Sequence, residues 1–197
     1  MTEEELEKLG EAARQNHVPV MMEDGLDSLL AYIRSHPRIQ SILEIGTAVG
    51  YSAMNMASVR PDITVDTLEI DAQMAAQAEA NIAAAGLADR VHVHLTDALE
   101  YRTEQVYDLI FVDAAKSQYR RYLEHFFANS RRGTVFVFDN LCFHGIVDHP
   151  ELTHNRSTRQ MTAKIRNFRN WLMVEPRFAV EYHADVGDGI AFARRVR

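Results

Sequence analysis

Tyr107-Asp-Leu-Ile-Phe-Val-Asp113-Ala-Ala-Lys116 and Thr134-Val-Phe-Val-Phe-Asp139-Asn140 decide how this chain folds. Each is a short apolar run closed by a carboxylate. Four to six consecutive apolar residues, rich in β-branched and aromatic types, read as a strand buried on both faces. Two such strands side by side set two carboxylates, an amide oxygen and an ammonium at one end of a sheet. Hard oxygen ligands of that kind suit Mg²⁺ or a similar divalent ion, which keeps open positions for substrate oxygens.

Working outward, the same unit recurs. Ser41–Ile45 is a short apolar run ending at Gly46, and Tyr51–Val59 reads as a helix. Ile63–Leu68 alternates as a strand and ends at Glu69. Ala72–Ala85 is a strong helix capped by Gly86, and Val91–Leu95 is a third strand ending near Asp97. A helix over about 117–129 joins the two strands quoted first. Strand–helix–strand repetition predicts an α/β fold, a mainly parallel sheet with helices on both faces. Ligands bind such sheets beyond the carboxyl ends of the strands, where the strand order reverses. Glu44, Glu69, Asp97, Asp113 and Asp139 all fall at that end.

The flanks differ. Two amphipathic helices, about 3–16 and 22–35, precede the core and are separated by Pro19. Residues 156–174 form a basic amphipathic helix with Met161, Ile165, Phe168 and Leu172 as its buried stripe. Phe178–Tyr182 and Ile190–Ala193 flank the turn Asp185-Val-Gly-Asp-Gly189, which predicts a C-terminal antiparallel hairpin. The organisation expected is one domain over 1–197, with N-terminal helices over 1–36 and the core over 39–197.

Composition narrows the class. The 197 residues are 47% hydrophobic, enough for one full core. No apolar run approaches the length of about 20 residues that spans a bilayer. The acidic start lacks the pattern of a secretory signal. The single cysteine, Cys142, excludes an internal disulfide and any multi-cysteine zinc site. A cytoplasmic protein is expected. The net charge of -7 is uneven: residues 1–100 carry 6 basic against 17 acidic groups, whereas residues 150–197 carry 9 against 5. Arginine outnumbers lysine 18 to 3, and its planar fork suits phosphate. The late basic segment therefore reads either as an ordinary solvated helix or as a face for a polyanion.

Glu44-Ile-Gly46-Thr-Ala-Val-Gly50-Tyr-Ser52 joins the first strand to its helix. It lacks the three-glycine spacing of a dinucleotide fingerprint, and no phosphate loop of the G-x-x-x-x-G-K-[ST] type occurs. Glu69, 23 residues past Gly46, is placed to accept both hydroxyls of a ribose. Thr96-Asp97-Ala98 could hold an adenine edge. An adenosine without a pyrophosphate points to S-adenosylmethionine. Each residue alone has a plainer reading: a turn glycine, a solvated glutamate, a capping aspartate. Their order and spacing together carry the inference.

The chain resembles the cation-dependent, S-adenosylmethionine-dependent O-methyltransferases, the group that includes catechol and caffeoyl-CoA O-methyltransferases. The loop 44–52, the acid at 69, Asp113-Ala-Ala-Lys116 and Asp139-Asn140 match that pattern in order, and the resemblance spans about residues 17–196. Within the group it is most similar to bacterial tRNA 5-hydroxyuridine methyltransferases, through His17-Val-Pro-Val-Met21, Asp139–Gly145, Ala163-Lys-Ile, Asn170–Met173 and Val186–Gly189. The resemblance implies a class I methyltransferase (Rossmann-like) fold. It implies Asp113, Asp139 and Asn140 as ligands of Mg²⁺ or another divalent cation. It places Met21, Glu44, Gly46, Ser52, Glu69, Asp97, Ala98 and Asp113 around S-adenosylmethionine, and makes Lys116 the catalytic base. It also implies a homodimer.

A tRNA substrate would need phosphate contacts, for which Arg156, Arg159, Arg166, Arg169 and the tail Arg194, Arg195 and Arg197 are candidates. His144 is a candidate substrate contact, and Tyr119, Phe143 or Trp171 could stack on a splayed base. The same chemistry on a small catechol or acyl-CoA substrate needs no arginine face. A non-catalytic S-adenosylmethionine-binding module would need neither the metal ligands nor Lys116. His92 and His94 alternate on a strand but precede the ligand-binding end, which favours a structural role.

Overall fold

The computed structural model describes residues 3–15, 18 and 20–197. His17 and Pro19 lie outside the described residues, so Pro19 as the break between the first two helices stays a reading of the sequence. Helices α1 (Glu3–Gln15) and α2 (Glu23–Ser35) come first. The core then runs β1 (Ser41–Ile45), α3 (Tyr51–Ser58), β2 (Thr64–Glu69), α4 (Ala72–Ala84) and β3 (Val91–Leu95). It continues with β4 (Leu109–Val112), α5 (Tyr119–His125), β5 (Val135–Phe138) and α6 (Arg156–Leu172), and closes with β6 (Phe178–His183) and β7 (Ile190–Arg195).

The seven strands lie in the order β3-β2-β1-β4-β5-β7-β6. β1 to β5 are parallel; β7 runs antiparallel to β5, and β6 pairs antiparallel with β7. This is the class I S-adenosylmethionine methyltransferase fold with its C-terminal antiparallel hairpin. The strand order reverses between β1 and β4, so the crevice expected in such a sheet opens beyond those two tips.

Alternation along each strand feeds two cores. Ile42, Phe111 and Val137 pack with Leu29, Ile33, Met54 and Ile82 on the α1–α4 face. Leu43, Ile110 and Phe138 pack with Tyr119, Leu123, Phe168 and Leu172 on the α5–α6 face. Strands buried on both sides explain why the quoted runs are continuous rather than alternating. Burying a Leu, Val or Phe side chain contributes about 1.5–3 kcal/mol, so these two layers dominate stability. The expected stripe of α6 is present: Ile165, Phe168 and Leu172 are buried, Met161 is half-buried, and Thr162 joins them.

The helix expected over 117–129 is shorter. A 3-10 turn over Lys116–Gln118 precedes α5, and a second, Phe126–Asn129, follows it. Tight turns at both ends shorten the crossover so that Tyr107 N–H can bond to Asn129 O at 2.9 Å.

One glycine fixes the crevice. Gly46 follows β1 at φ 100°, and a Cβ there would fall on the carbonyl oxygen of Asp113, with the carbonyl carbon 2.9 Å away. Only the missing side chain lets the β1 loop pass beside the tip of β4. Gly46→Ala should lower the melting temperature by roughly 4–8 °C, from backbone strain and clash worth about 2 kcal/mol. A thermal melt unchanged from wild type would show that the two tips do not meet this closely.

Candidate active site

Two clefts open at the strand tips and share Val20, Met21, Asp113 and Lys116. The first, about 300 Å³, is lined by Gly46, Thr47, Ala48, Tyr51, Ser52, Glu69 and Ile70. The second, about 280 Å³, is lined by Asp139, Asn140, Phe143, His144 and Asp188. A larger cavity of about 660 Å³ lies among α1, α2 and α3, but it is walled by Glu7, Glu11, Glu23 and Asp27 and holds no strand-tip group. Chemistry belongs to the paired clefts, where different types of polar group converge.

In the first cleft, Glu69 ends β2 with its carboxylate fixed by three backbone donors. Oε2 accepts the Ala48 N–H at 2.9 Å, and Oε1 accepts those of Ile70 and Asp71, each at 2.9 Å. Ala48 itself sits at φ 47°. A carboxylate held this way is oriented for a vicinal diol while keeping lone pairs to spare. Ser52 and Met21 line the cleft. Asp97 and Ala98 stand at the neighbouring tip of β3, outside this lining, with Asp97 Oδ1 accepting the Leu99 N–H at 2.8 Å.

Glu44 does not line either cleft. It is fully buried beneath the loop, accepting hydrogen bonds from Ser52 and from Thr67 Oγ1, the latter at 2.5 Å. Thr67 also shares a 2.6 Å bond with Thr47. Glu44 thus ties the start of α3 and the loop to the sheet. Burial raises its carboxyl to about 8, against the lowering effect of the two hydroxyls.

In the second cleft, β4 and β5 pair Val112 with Phe138, so Asp113 and Asp139 follow side by side. Lys116, on the 3-10 turn after β4, places Nζ 3.4 Å from Asp113 Oδ1 and donates to Asn140 Oδ1. Asp139 is 1% exposed, and its Oδ1 is buried with no hydrogen-bond partner. Burial first, then repulsion from Asp113, pushes Asp139 up to about 7, partly offset by the Asn140 backbone N–H and by Lys116. Asp113, Asp139 and Asn140 therefore present hard oxygens in a place that favours positive charge, and the orphaned Oδ1 fits a hard divalent cation.

Tyr119 was a candidate for stacking on a base. It is instead 1% exposed, and its hydroxyl donates to Asp139 O at 2.7 Å, bracing the tip of β5. Trp171 is half-buried, with the Arg120 guanidinium 4.3 Å from its ring, and it lines neither cleft. Phe143 and His144 do line the second cleft.

The arginines divide. Arg166 Nε donates to Val147 O at 2.6 Å, and Arg169 pairs with Asp148 and reaches the Tyr182 hydroxyl at 3.1 Å. Both pin the segment after Asn140 to α6, so phosphate contact is not their place. Arg195 is likewise engaged, with Ser130 O at 2.6 Å. Arg159 is exposed although its Nε donates to Thr153 O at 2.9 Å, and Arg156 is exposed at the first turn of α6. His92 and His94 both face Asp66, at 3.4 and 3.0 Å, and among the described residues no three His, Cys, Asp or Glu side chains are placed to share an ion.

Sequence reading missed Asp188, a buried wall of the second cleft whose only signal was its place in the Val186–Gly189 turn. It also missed Val20, Ala114 and Ala115, which are apolar and carry no chemical signature.

A family model described as O-methyltransferase matches residues 2–196. A catechol O-methyltransferase from Niastella koreensis is 37% identical over 115 residues, 55% of this chain and 52% of that one, so the chain spans about half the length of that relative. A Staphylococcus aureus structure provisionally assigned as a caffeoyl-CoA O-methyltransferase superposes with a TM-score of 0.91 at 33% identity, covering 96% of this chain and 91% of that one. TomG, an O-methyltransferase of tomaymycin synthesis from Streptomyces achromogenes solved in complex with SAM, gives 0.81 at 26% identity over 100% of this chain and 92% of that one.

The state of Glu44 has a measurable consequence. Its pKa rises on folding from 4.5 to about 8, so the folded chain holds a proton that the unfolded chain releases. Stability from this group is complete below 4.5 and is lost as pH climbs through 8, on the order of 1 kcal/mol per pH unit. Urea unfolding from pH 5 to 8 should show this decline in the wild type and a shallower one in Glu44→Gln. Equal slopes would refute a neutral buried Glu44.

Proposed function

This chain belongs to the O-methyltransferase family, and we propose that it moves a methyl group from S-adenosylmethionine to a ring hydroxyl whose neighbouring carbon bears a second oxygen. The observation that carries this reading is the meeting of the two clefts at Asp113 and Lys116. One cleft suits an adenosine: its loop comes close at Gly46, and Glu69 faces it at the tip of β2. The other gathers three oxygens suited to a hard cation.

A divalent cation held by Asp113, Asp139 and Asn140 supplies, when bound, a lower hydroxyl pKa and a fixed direction for the two substrate oxygens. The remaining work falls to the chain. Lys116 accepts the hydroxyl proton or, as the ammonium, stabilises the oxyanion, a role supported by its contacts with Asp113 and Asn140. Asp113 links both clefts, and Tyr119 and Glu44 hold the strand tip and the loop in register. In the transfer, the O–C bond forms as the C–S bond breaks, and S-adenosylhomocysteine leaves. Alignment of this kind supplies about 7–11 kcal/mol in favourable intramolecular cases.

The acceptor we propose is 5-hydroxyuridine at the wobble position of tRNA, giving 5-methoxyuridine. Its 5-hydroxyl and 4-carbonyl form the required two-oxygen chelate. An anticodon loop is single-stranded, so the base enters cheaply while its phosphates stay outside. A cleft of about 280 Å³ accommodates one ring, and Arg156 and Arg159 remain exposed on α6. The segments 139–145, 163–165, 170–173 and 186–189 support the same reading through their resemblance. The second reading is a small catechol or caffeoyl-CoA-type acceptor. It is favoured by the names of the similar proteins and by the engagement of Arg166 and Arg169 inside the fold.

Asp139→Ala should lower methyl transfer by about 100-fold or more while calorimetry still detects S-adenosylmethionine binding; full activity of this variant in EDTA would remove the cation from the mechanism. Mass spectrometry of tRNA nucleosides from cells lacking the protein decides the acceptor: 5-methoxyuridine should vanish as 5-hydroxyuridine accumulates. Unchanged 5-methoxyuridine would leave the small-molecule reading. Turnover of tRNA should also fall as salt rises, because each phosphate contact releases counterions.

A further inference from the structure

The turn Val186-Gly-Asp-Gly189 is bolted to the loop that carries Asn140. Leu141 N–H donates to Gly189 O and Cys142 N–H to Asp188 O, both at 2.8 Å, and His144 N–H donates to Asp188 Oδ1 at 2.6 Å. From the other side, Asp24 of α2 accepts the Gly187 N–H at 2.9 Å. These bonds hold Asn140, Phe143 and His144 at φ 58°, 44° and 55°, a conformation that L-residues seldom adopt.

That brace uses only one of the two carboxylate oxygens. Asp188 is 6% exposed, and its Oδ2 is buried with no hydrogen-bond partner in the wall of the second cleft. His144 Nδ1 is 3.8 Å away, beyond hydrogen-bond reach. Buried carboxylate oxygens are nearly always satisfied, so an orphan on a residue that lines a cleft marks a missing donor. The cation proposed above is assigned to Asp113, Asp139 and Asn140, so the donor missing at Asp188 is sought elsewhere in the same cleft. It is then a group on the substrate.

We propose that Asp188 determines acceptor specificity, its Oδ2 accepting a hydrogen bond from a ring N–H of the substrate beside the chelating oxygens. The substrate class this selects is a hydroxylated pyrimidine, whose N3–H adjoins the 4-carbonyl; a plain catechol has no donor there. The inference rests on methyl transfer at this site as proposed above. Asp188→Asn tests it with little change of shape. The one amide oxygen is claimed by the His144 N–H, so the cleft receives an NH₂ that opposes the N3–H.

The experiment measures KM and kcat on an anticodon stem-loop containing 5-hydroxyuridine and on the same RNA methylated at N3 of that base. Wild type should show a KM roughly ten- to a hundredfold higher for the N3-methyl RNA. Asp188→Asn should raise KM for the N3–H RNA by a similar factor, and the two losses should not add. Binding of S-adenosylmethionine at the wild-type Kd certifies the variant's fold. Additive losses, or an unchanged KM for the N3–H RNA, overturn the proposal. If the variant does not bind S-adenosylmethionine, equal wild-type KM values for the two RNAs overturn it instead. Wild-type turnover of catechol but of neither RNA overturns the pyrimidine class, whereas no turnover of any of the three defeats the methyl-transfer reading itself.

Discussion

Everything at the site depends on the parallel register of β4 with β5. Because Val112 lies opposite Phe138, the next residues, Asp113 and Asp139, leave the sheet side by side although 26 positions separate them in the chain. Hydrogen bonds between buried strands cannot slip without turning apolar side chains out of both cores, so this juxtaposition is rigid. Burial first, and repulsion from Asp113 second, push Asp139 up. The strand-tip arrangement costs stability in the absence of positive charge, and Lys116 offsets part of that cost.

The crevice is built by exclusion as much as by attraction. Gly46 clears the carbonyl of Asp113, and positive-φ residues beside both clefts, Ala48 at the first and Asn140, Phe143 and His144 at the second, point their backbones where ordinary turns would not. Such strain persists only where surrounding bonds over-determine it. Here the determinants are Glu69 on one side and the Asp24–Gly187–Asp188 chain on the other. Glu69 is the last residue of β2, whereas the Asp24–Gly187–Asp188 chain lies outside the strands, so the sheet supplies the position of the site and the loops bonded to it supply its shape.

Charge tells a more divided story. The basic segment at the end of the chain is present as α6, yet Arg166 and Arg169 spend their donors on carbonyls and on Asp148. Arginine serves well in that role because one planar fork satisfies several loop acceptors at once. Arg156 and Arg159 stay exposed on the same helix. In the second cleft, Asp139 and Asp188 are the groups whose bonding is incomplete within the chain.

The apolar runs closed by Asp113 and Asp139, the glycine loop and the acid at Glu69 were legible from the sequence because they are local: strand period, turn chemistry and strand-end polarity are written in adjacent residues. From them followed the parallel sheet and the meeting of Asp113, Asp139 and Asn140 at one end of it. What only the tertiary structure decided concerns partners distant in the chain. Glu44 went under the loop rather than into the cleft because β1 alternation turns it toward Ser52 and Thr67. Tyr119 became a brace for Asp139, and Arg169 a clamp on Asp148, because each found an acceptor that packing brought within reach. Asp188 acquired its free oxygen only when the hairpin folded back against Asn140. A residue's type fixes what bonds it can make, but packing fixes which of them are already made.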